Sequence, residues 1–293
     1  MPSPASDLRG IAAMVLATGF FVVNDSFMKL AAAELPPFEV LFLRGAAAAI
    51  CCGALLAASG HWRGLAGALS RASLLRGAIE TVGVLCYIVA LVHMPIADVV
   101  AIGQTAPLIM IGLVWLVFRE RIGPAKAALV LLGFAGAVLV AQPGPGGLSL
   151  YAVLAFGTAV SVALRDLVGK RVPAHVPAFV VTFATILIVM VVAGIATTLT
   201  EDWVMPHPGG LGMLMLSGLF VTLGHCTIFL AYRAGSAGAV APFYYSFTVW
   251  ALAAGFAIWR EVPNTPALAG IALILASGLA IVFLDRRRTR QRP

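Results

Sequence analysis

Residues 24–29 read NDSFMK and residues 165–170 read RDLVGK. Each places an aspartate four residues before a lysine near the end of a long apolar run. Asp25 and Asp166 stand 141 residues apart, as do Lys29 and Lys170. Sliding the sequence over itself by 141 residues without gaps extends the match. Pro36, Phe38, Val40 and Phe42 meet Pro177, Phe179, Val181 and Phe183. Further along, Leu75, Gly77, Thr81, Gly83 and Ala90 meet Leu216, Gly218, Thr222, Gly224 and Ala231. VFRER at 117–121 overlies IWREV at 258–262, pairing Arg119 with Arg260 and Glu120 with Glu261. A biased composition produces chance identities, but hardly Asp, Lys, Pro and Arg-Glu in one register.

The medium in which the two copies fold follows from composition. Of 293 residues, 61% are hydrophobic and 11% charged, and the mean hydropathy is +1.02, outside the range of a soluble domain. Apolar runs of the length that crosses a bilayer as a helix, ~20 residues, occur near 9–30, 37–59, 72–92, 95–117, 123–141, 150–171, 177–199, 210–232, 237–259 and 266–284. They are too long for alternating barrel strands, so the fold class is an all-α integral membrane protein with ten transmembrane helices. Asn24, Asp25 and Lys29 interrupt the first run and its counterpart lies mid-chain, which argues against a signal peptide. Cys51, Cys52, Cys86 and Cys226 all fall inside spans and read as packing residues, with no disulfide or metal framework.

Five spans per copy is an odd number, so the second copy enters the membrane from the opposite side and the repeats are inverted. The expected organisation is a first repeat over 1–143, a connector at 144–149, a second repeat over 150–284 and a basic tail at 285–293. Sixteen Lys and Arg fall on the side of the N-terminus and three, Lys29, Arg44 and Arg260, on the other. The positive-inside rule therefore places both termini in the cytoplasm. The tail reads as an anchor to anionic headgroups, and the scattered basic residues do not form a nucleic-acid surface. Inverted halves around a midplane site are a common carrier architecture.

At VFRER, echoed by IWREV, the chain resembles the drug/metabolite transporter superfamily, specifically its ten-helix EamA-type members. These end the fourth span of each five-helix repeat in a Gly-Glu-Arg-like turn. The resemblance covers essentially the whole chain. Arg119 and Arg260 stand where the family usually has glycine, and Val262 replaces the final base. ADVVAIGQTAPLIM and AGAVAPFYYSFTVW before the two turns also look family-like. The resemblance implies export or exchange of small metabolites across the bacterial inner membrane, with amino acids prominent. It further implies a cavity formed by spans 1, 3, 4, 6, 8 and 9, with 5 and 10 peripheral. The pattern is most similar to the aromatic-amino-acid exporter branch.

Polar groups at membrane depth are costly without partners and are functional candidates for that reason. Asp25 with Lys29, and Asp166 with Lys170, have the spacing of intrahelical ion pairs; their places at opposite mouths also suit gating. Glu80 has Arg76 one turn before it and only Val221 as its counterpart, which makes it a candidate for proton coupling. His225, opposite Val84, is a candidate for coupling or for binding a carboxylate. The substrate-cavity candidates are Asn24, Thr81, Tyr87, Gln104, Thr105, Thr222, His225, Tyr244, Ser246 and Trp250. Pro242 kinks or loosens span 9; Pro107 in span 4 has packing as its first reading and a similar hinge role as its second, and spans 3, 4, 8 and 9 are the expected movers. Trp203 and His207 read as interface anchors. No P-loop or metal-spaced cluster is present, so no cofactor is expected and no obligate protein partner is evident. The expected function is alternating-access export or exchange of amino acids, aromatic or other neutral ones. Its rivals are other metabolites or cationic drugs on the same fold, a channel, or a membrane enzyme.

Overall fold

The computed structural model describes residues 4–60, 65–119, 123–169, 171–172 and 176–290. It contains ten apolar helices of membrane-crossing length: span 1 (Ser6–Ala31), span 2 (Pro37–Ala58), span 3 (Arg71–His93), span 4 (Ile96–Leu116), span 5 (Pro124–Ala141), span 6 (Leu150–Gly169), span 7 (Phe179–Thr200), span 8 (Pro208–Ala234), span 9 (Ala241–Trp259) and span 10 (Thr265–Leu284). Among the described residues no strand forms. The chain is an all-helical, multi-pass membrane protein. Its perimeter carries Leu199, Leu131 and Ile50 at 77%, 70% and 66% exposure, a surface that suits lipid and would be untenable in water.

Turn chemistry sets several helix boundaries. Proline opens the helices at Pro37, Pro124 and Pro208, where a missing N–H leaves no helical bond unmade. Ser70 caps span 3 by accepting from the Ser73 N–H, and His207 caps span 8 through Nδ1, accepting from Gly209 and Gly210.

Spans 4 and 9 depart from regular helix. Span 4 consists of helices Ile96–Gly103 and Ala106–Phe118 joined through Gln104 and Thr105, because Pro107 cannot donate a hydrogen bond to the preceding turn. Leading into and along span 9, the chain runs from a short helix at Ala237–Val240 through a 3-10 turn at Ala241–Tyr245 containing Pro242. It continues as α-helix over Ser246–Ala254 and ends in a π turn at Gly255–Trp259. The junction after Tyr245 lies 141 residues beyond the one after Gln104. The two spans also end alike, with Arg119 at φ 52° and Arg260 at φ 57°, both in the left-handed region. The arginines at the usual glycine position thus adopt the backbone conformation that glycine adopts most easily.

The helices pack as span 1 on 8, span 3 on 6, span 2 on 7, span 5 on 10, span 2 on 8, span 3 on 7, span 1 on 9, span 4 on 6 and span 4 on 9. For these nine pairings, replacing every span by the one five places along returns the same set, whereas lesser contacts such as span 2 on 3 and span 4 on 10 have no counterpart of that extent. Two glycines show how the crossings are made. A Cβ on Gly83 would lie 2.7 Å from Ser161 Cβ of span 6, and one on Gly224 would lie 2.7 Å from the Phe21 ring of span 1. A bare backbone is what allows these helices to approach.

Candidate functional site

Among the described residues, three polar groups that contain sequence candidates lie in the interior. At one end of the bundle, the Lys29 end, the lysine reaches across to the loop between spans 9 and 10. Lys29 Nζ donates to Glu261 Oε1 at 3.0 Å and to the carbonyl of Met94 at 2.7 Å. Its ammonium also stands 5.0 Å from the Trp259 ring centre. Glu261 Oε2 accepts from the Ile96 N–H at 3.3 Å, so one ion pair ties the end of span 1 to spans 3, 4 and 9. Asp98 lies close enough to interact with both charges. It is buried, and its Oδ1 has no hydrogen-bond partner. The spacing that suits an Asp25–Lys29 intrahelical pair is therefore not used as one: the structure gives Lys29 a partner 232 residues away.

About 6 Å deeper, at ~1.5 Å per residue, lies a second group. Asp25 is 4% exposed. Its Oδ2 accepts from Tyr87 Oη at 2.6 Å and its Oδ1 from Asn24 Nδ2 at 2.9 Å. Asn24 Oδ1 accepts in turn from Ser217 Oγ at 2.8 Å. Spans 1, 3 and 8 are thus joined by one chain of neutral donors ending on a carboxylate. Arg44 of span 2 faces this group, within electrostatic reach of Asp25, Tyr87 and Glu80.

The third group lies toward the other end, where the Asp7 carboxylate accepts from the Ser236 N–H at 2.8 Å. Glu80 takes Arg76 Nη1 at 3.2 Å on one oxygen and Arg165 Nη1 at 2.8 Å on the other. Arg165 Nε also holds Asp166 at 2.9 Å, and the Asp166 side chain is 52% exposed. The Arg76–Glu80 contact expected from spacing is present, joined by an arginine from span 6. Arg76 further donates to Thr185 of span 7 at 3.3 Å. Lys170, Glu120 and Arg121 lie outside the described residues, and with Lys170 the expected pair between Asp166 and Lys170.

The remaining candidates divide by what they touch. Thr81 and Thr222 return their hydroxyls to Gly77 and Gly218 one turn back, and Thr105 bonds Ile102 at the junction in span 4. Gln104 donates to the Tyr244 carbonyl at 3.2 Å, linking the two irregular spans at their discontinuities. Ser246 shares a hydrogen bond with Thr18 at 2.7 Å, and Trp250 Nε1 donates to the Val15 carbonyl at 3.0 Å; both fasten span 9 to span 1. His225 meets Phe21 edge-on with ring centres 5.2 Å apart, and it senses the charges of Glu80, Arg165, Arg44 and Arg76. Tyr244 lies edge-on to Phe247 at 6.2 Å. Trp203 packs against Phe42 at 5.9 Å, and His207 meets Glu34 at 2.6 Å.

Arg44, Glu261, Ser217, Arg165 and Asp98 are absent from the sequence candidates. All but Ser217 had a signal. Arg44 breaks the run VLFLRGAAAAI seven residues after Pro37, too deep for a headgroup contact, yet it entered only the count of basic residues by side. Glu261 repeats Glu120 in the 141-residue register. Asp98 is an acid inside the run at 95–117, and Arg165 opens RDLVGK. Ser217 had none, because its role depends on which helix lies opposite.

Comparison with known proteins agrees with this architecture. The EamA-like transporter family matches the chain twice, over residues 8–142 and 149–283. A pseudopaline exporter from Pseudomonas aeruginosa is 28% identical over 283 residues, 93% of this chain and 95% of that protein. A riboflavin transporter from Rhizobium johnstonii is 28% identical over 219 residues, 74% of this chain and 72% of that protein. A solved crystal structure superimposes with a TM-score of 0.64 at 21% identity, covering 97% of this chain and 98% of the other, which shows the shared fold. With both halves matched, the chain belongs to the EamA-like transporter family and is a small-metabolite transporter of that type.

Proposed function

We propose that the protein exports or exchanges small metabolites, amino acids foremost, across the bacterial inner membrane by alternating access. In this reading both termini are cytoplasmic, and the two halves are inverted repeats meeting at the central polar groups. The partners are then a small-molecule substrate and the bilayer. The self-matching helix pairings and the two family matches starting at residues 8 and 149 support the repeat. The observation that carries the functional reading is the difference between the two ends. Lys29 is held between Glu261 and the Met94 carbonyl with its side chain 10% exposed, whereas Asp166 at the other end is 52% exposed. A carrier closes one end at a time; a channel needs a path through both.

The test is counterflow of radiolabelled amino acids into proteoliposomes, with and without a pH gradient. Saturable exchange with mutual competition is expected. Flux that rises linearly with concentration would identify a channel. Loss of a turnover activity on replacing Glu80 or His225, with no exchange to lose, would identify an enzyme.

A further inference from the structure

The charges of the interior do not balance locally. Asp25 has a direct donor on each oxygen, Tyr87 and Asn24. Glu80 likewise has Arg76 and Arg165. Arg44 faces both carboxylates yet forms an ion pair with neither among the described residues. Its Nε is buried without a hydrogen-bond partner, while the residue as a whole keeps some exposed surface. A guanidinium about 10 Å inside a span, at ~1.5 Å per residue from Pro37, carries a desolvation cost that only a closely held oxyanion offsets well. The two carboxylates that face it are already committed to other donors.

The 141-residue register sharpens the point. The residue equivalent to Arg44 is Thr185, which bonds the Val181 carbonyl and accepts from Arg76. Arg76 and Arg165 also occur once, but each has an ion pair with Glu80; Arg44 occurs once without one, within electrostatic reach of Asp25 and Tyr87.

We propose that Arg44 is the anchor for a carboxylate of the transported metabolite, a single oxyanion that meets the guanidinium at the level of Tyr87 and Asp25. This rests on the carrier reading and adds a substrate chemistry to it. The guanidinium presents parallel N–H donors that match a carboxylate's two oxygens. A phosphate would satisfy the same fork, but its second charge would face Asp25 and Glu80, which favours the monoanion. The asymmetry also orients the substrate, with its acid group toward the first repeat and the rest of the molecule toward spans 8 and 9.

The experiment uses the full chain in lipid nanodiscs and radiolabelled phenylalanine as the probe. Competitors are phenylacetate, phenylalaninamide, phenethylamine and the phosphonate analogue of phenylalanine. Phenylacetate is expected to displace the label at least about tenfold more effectively than the amide or the amine, the size of a lost charge-assisted bond. Arg44→Gln should abolish that preference, and Arg44→Lys should retain part of it, with folded yield followed for both. If Arg44→Gln does not fold, the wild-type competition series still decides. Amide or amine competing as well as acid overturns the proposal, as does an acid preference that survives Arg44→Gln. The phosphonate outcompeting every carboxylate overturns the choice of carboxylate. No binding of any carboxylate, in a protein that exchanges amines or nucleosides, removes the anchor and leaves the carrier. Absence of saturable exchange for any solute removes the carrier reading beneath it.

Discussion

Asp25 and Asp166 are the same residue at the same place in two copies of one sequence pattern, yet they live differently. Asp25 is 4% exposed and held by Tyr87 and Asn24. Asp166 has a side chain 52% exposed and touches Arg165. Equivalent positions with unequal burial mean that the two copies do not share one conformation, although their helix pairings correspond. Near Asp25 the bundle is tied shut by Lys29 and Glu261; near Asp166 the charged cluster keeps an open side. On the carrier reading proposed above, the difference teaches where work must be done in a transport cycle: the buried end has bonds to break, and the more exposed end has them to make.

Cutting the tie should give the largest effect. Lys29→Ala removes the tie to Glu261, a charge-assisted bond worth about 1.5–3 kcal/mol, and 1.4 kcal/mol is a factor of ten in an equilibrium. Shifts of ten- to a hundredfold toward opening at the Lys29 end are expected, with counterflow slowed because the closed state is no longer populated. Spin labels at the exposed residues Ala33 and Val262 should report a longer distance in Lys29→Ala and an intermediate one in Glu261→Gln. An unchanged distance distribution in both variants would mean that the pair only decorates the end.

A second comparison tests burial directly. Tyr87→Phe leaves one Asp25 oxygen without its donor in the interior, a loss of about 1–3 kcal/mol. Asp166→Asn at the half-exposed twin should cost under about 1 kcal/mol. Thermal unfolding in detergent, followed by loss of monodisperse protein, measures both. Equal shifts would show that the two environments are energetically alike, whatever their exposure.

How much of this was legible from sequence depends on the range of the interaction. The ten spans were readable because each is a local property. Even their departures are small: span 8 starts at Pro208 rather than 210, and the helix of span 6 ends at Gly169 rather than 171. The loosening of span 9 at Pro242 was readable from proline chemistry, whereas at Pro107 packing was the first reading and the break at Gln104–Thr105 is the structure's own finding. The Arg76–Glu80 contact was readable as a spacing of four on a helix. What could not be read was any partner set by the crossing of distant helices. Lys29 has an aspartate one turn away and bonds Glu261 instead, and Arg165 joins Glu80 from another span. Ser217 has no local feature to set it apart from other serines. Arg44 is the instructive failure, since its depth in an apolar run was visible and only its meaning was missed.

The periphery offers a contrast with the centre. Spans 5 and 10 meet where Gly136 and Gly270 lie back to back. A Cβ on Gly270 would stand 2.5 Å from the Gly136 carbonyl oxygen, and one on Gly136 would stand 2.7 Å from that of Gly270. Gly270→Val should force these helices apart and lower folded yield severalfold, the overpacking cost being about 1–3 kcal/mol. The protein that does fold should exchange substrate with an unchanged KM, because no polar group of the interior lies on this contact. A changed KM would place span 10 in the transport path.

The smallest expected effect uses the feature the two halves share most closely. Arg119 and Arg260 close the fourth span of each repeat in the left-handed conformation, which costs a residue with a Cβ about 1–2 kcal/mol relative to glycine. Arg119→Gly and Arg260→Gly should therefore each stabilise the fold, by about 1 kcal/mol or less once glycine's greater freedom in the unfolded chain is counted. The two gains should differ in an informative way. The Arg260 guanidinium lies 5.5 Å from the Phe256 ring centre, an attraction worth about 0.5–1 kcal/mol at an exposed site, so Arg260→Gly should gain less. A loss at both positions would mean that arginine serves the turn through its side chain, outweighing the strain in its backbone. A gain at both, with exchange slowed only in Arg260→Gly, would tie this turn to the neighbouring Glu261 and make backbone strain part of the closure at the Lys29 end.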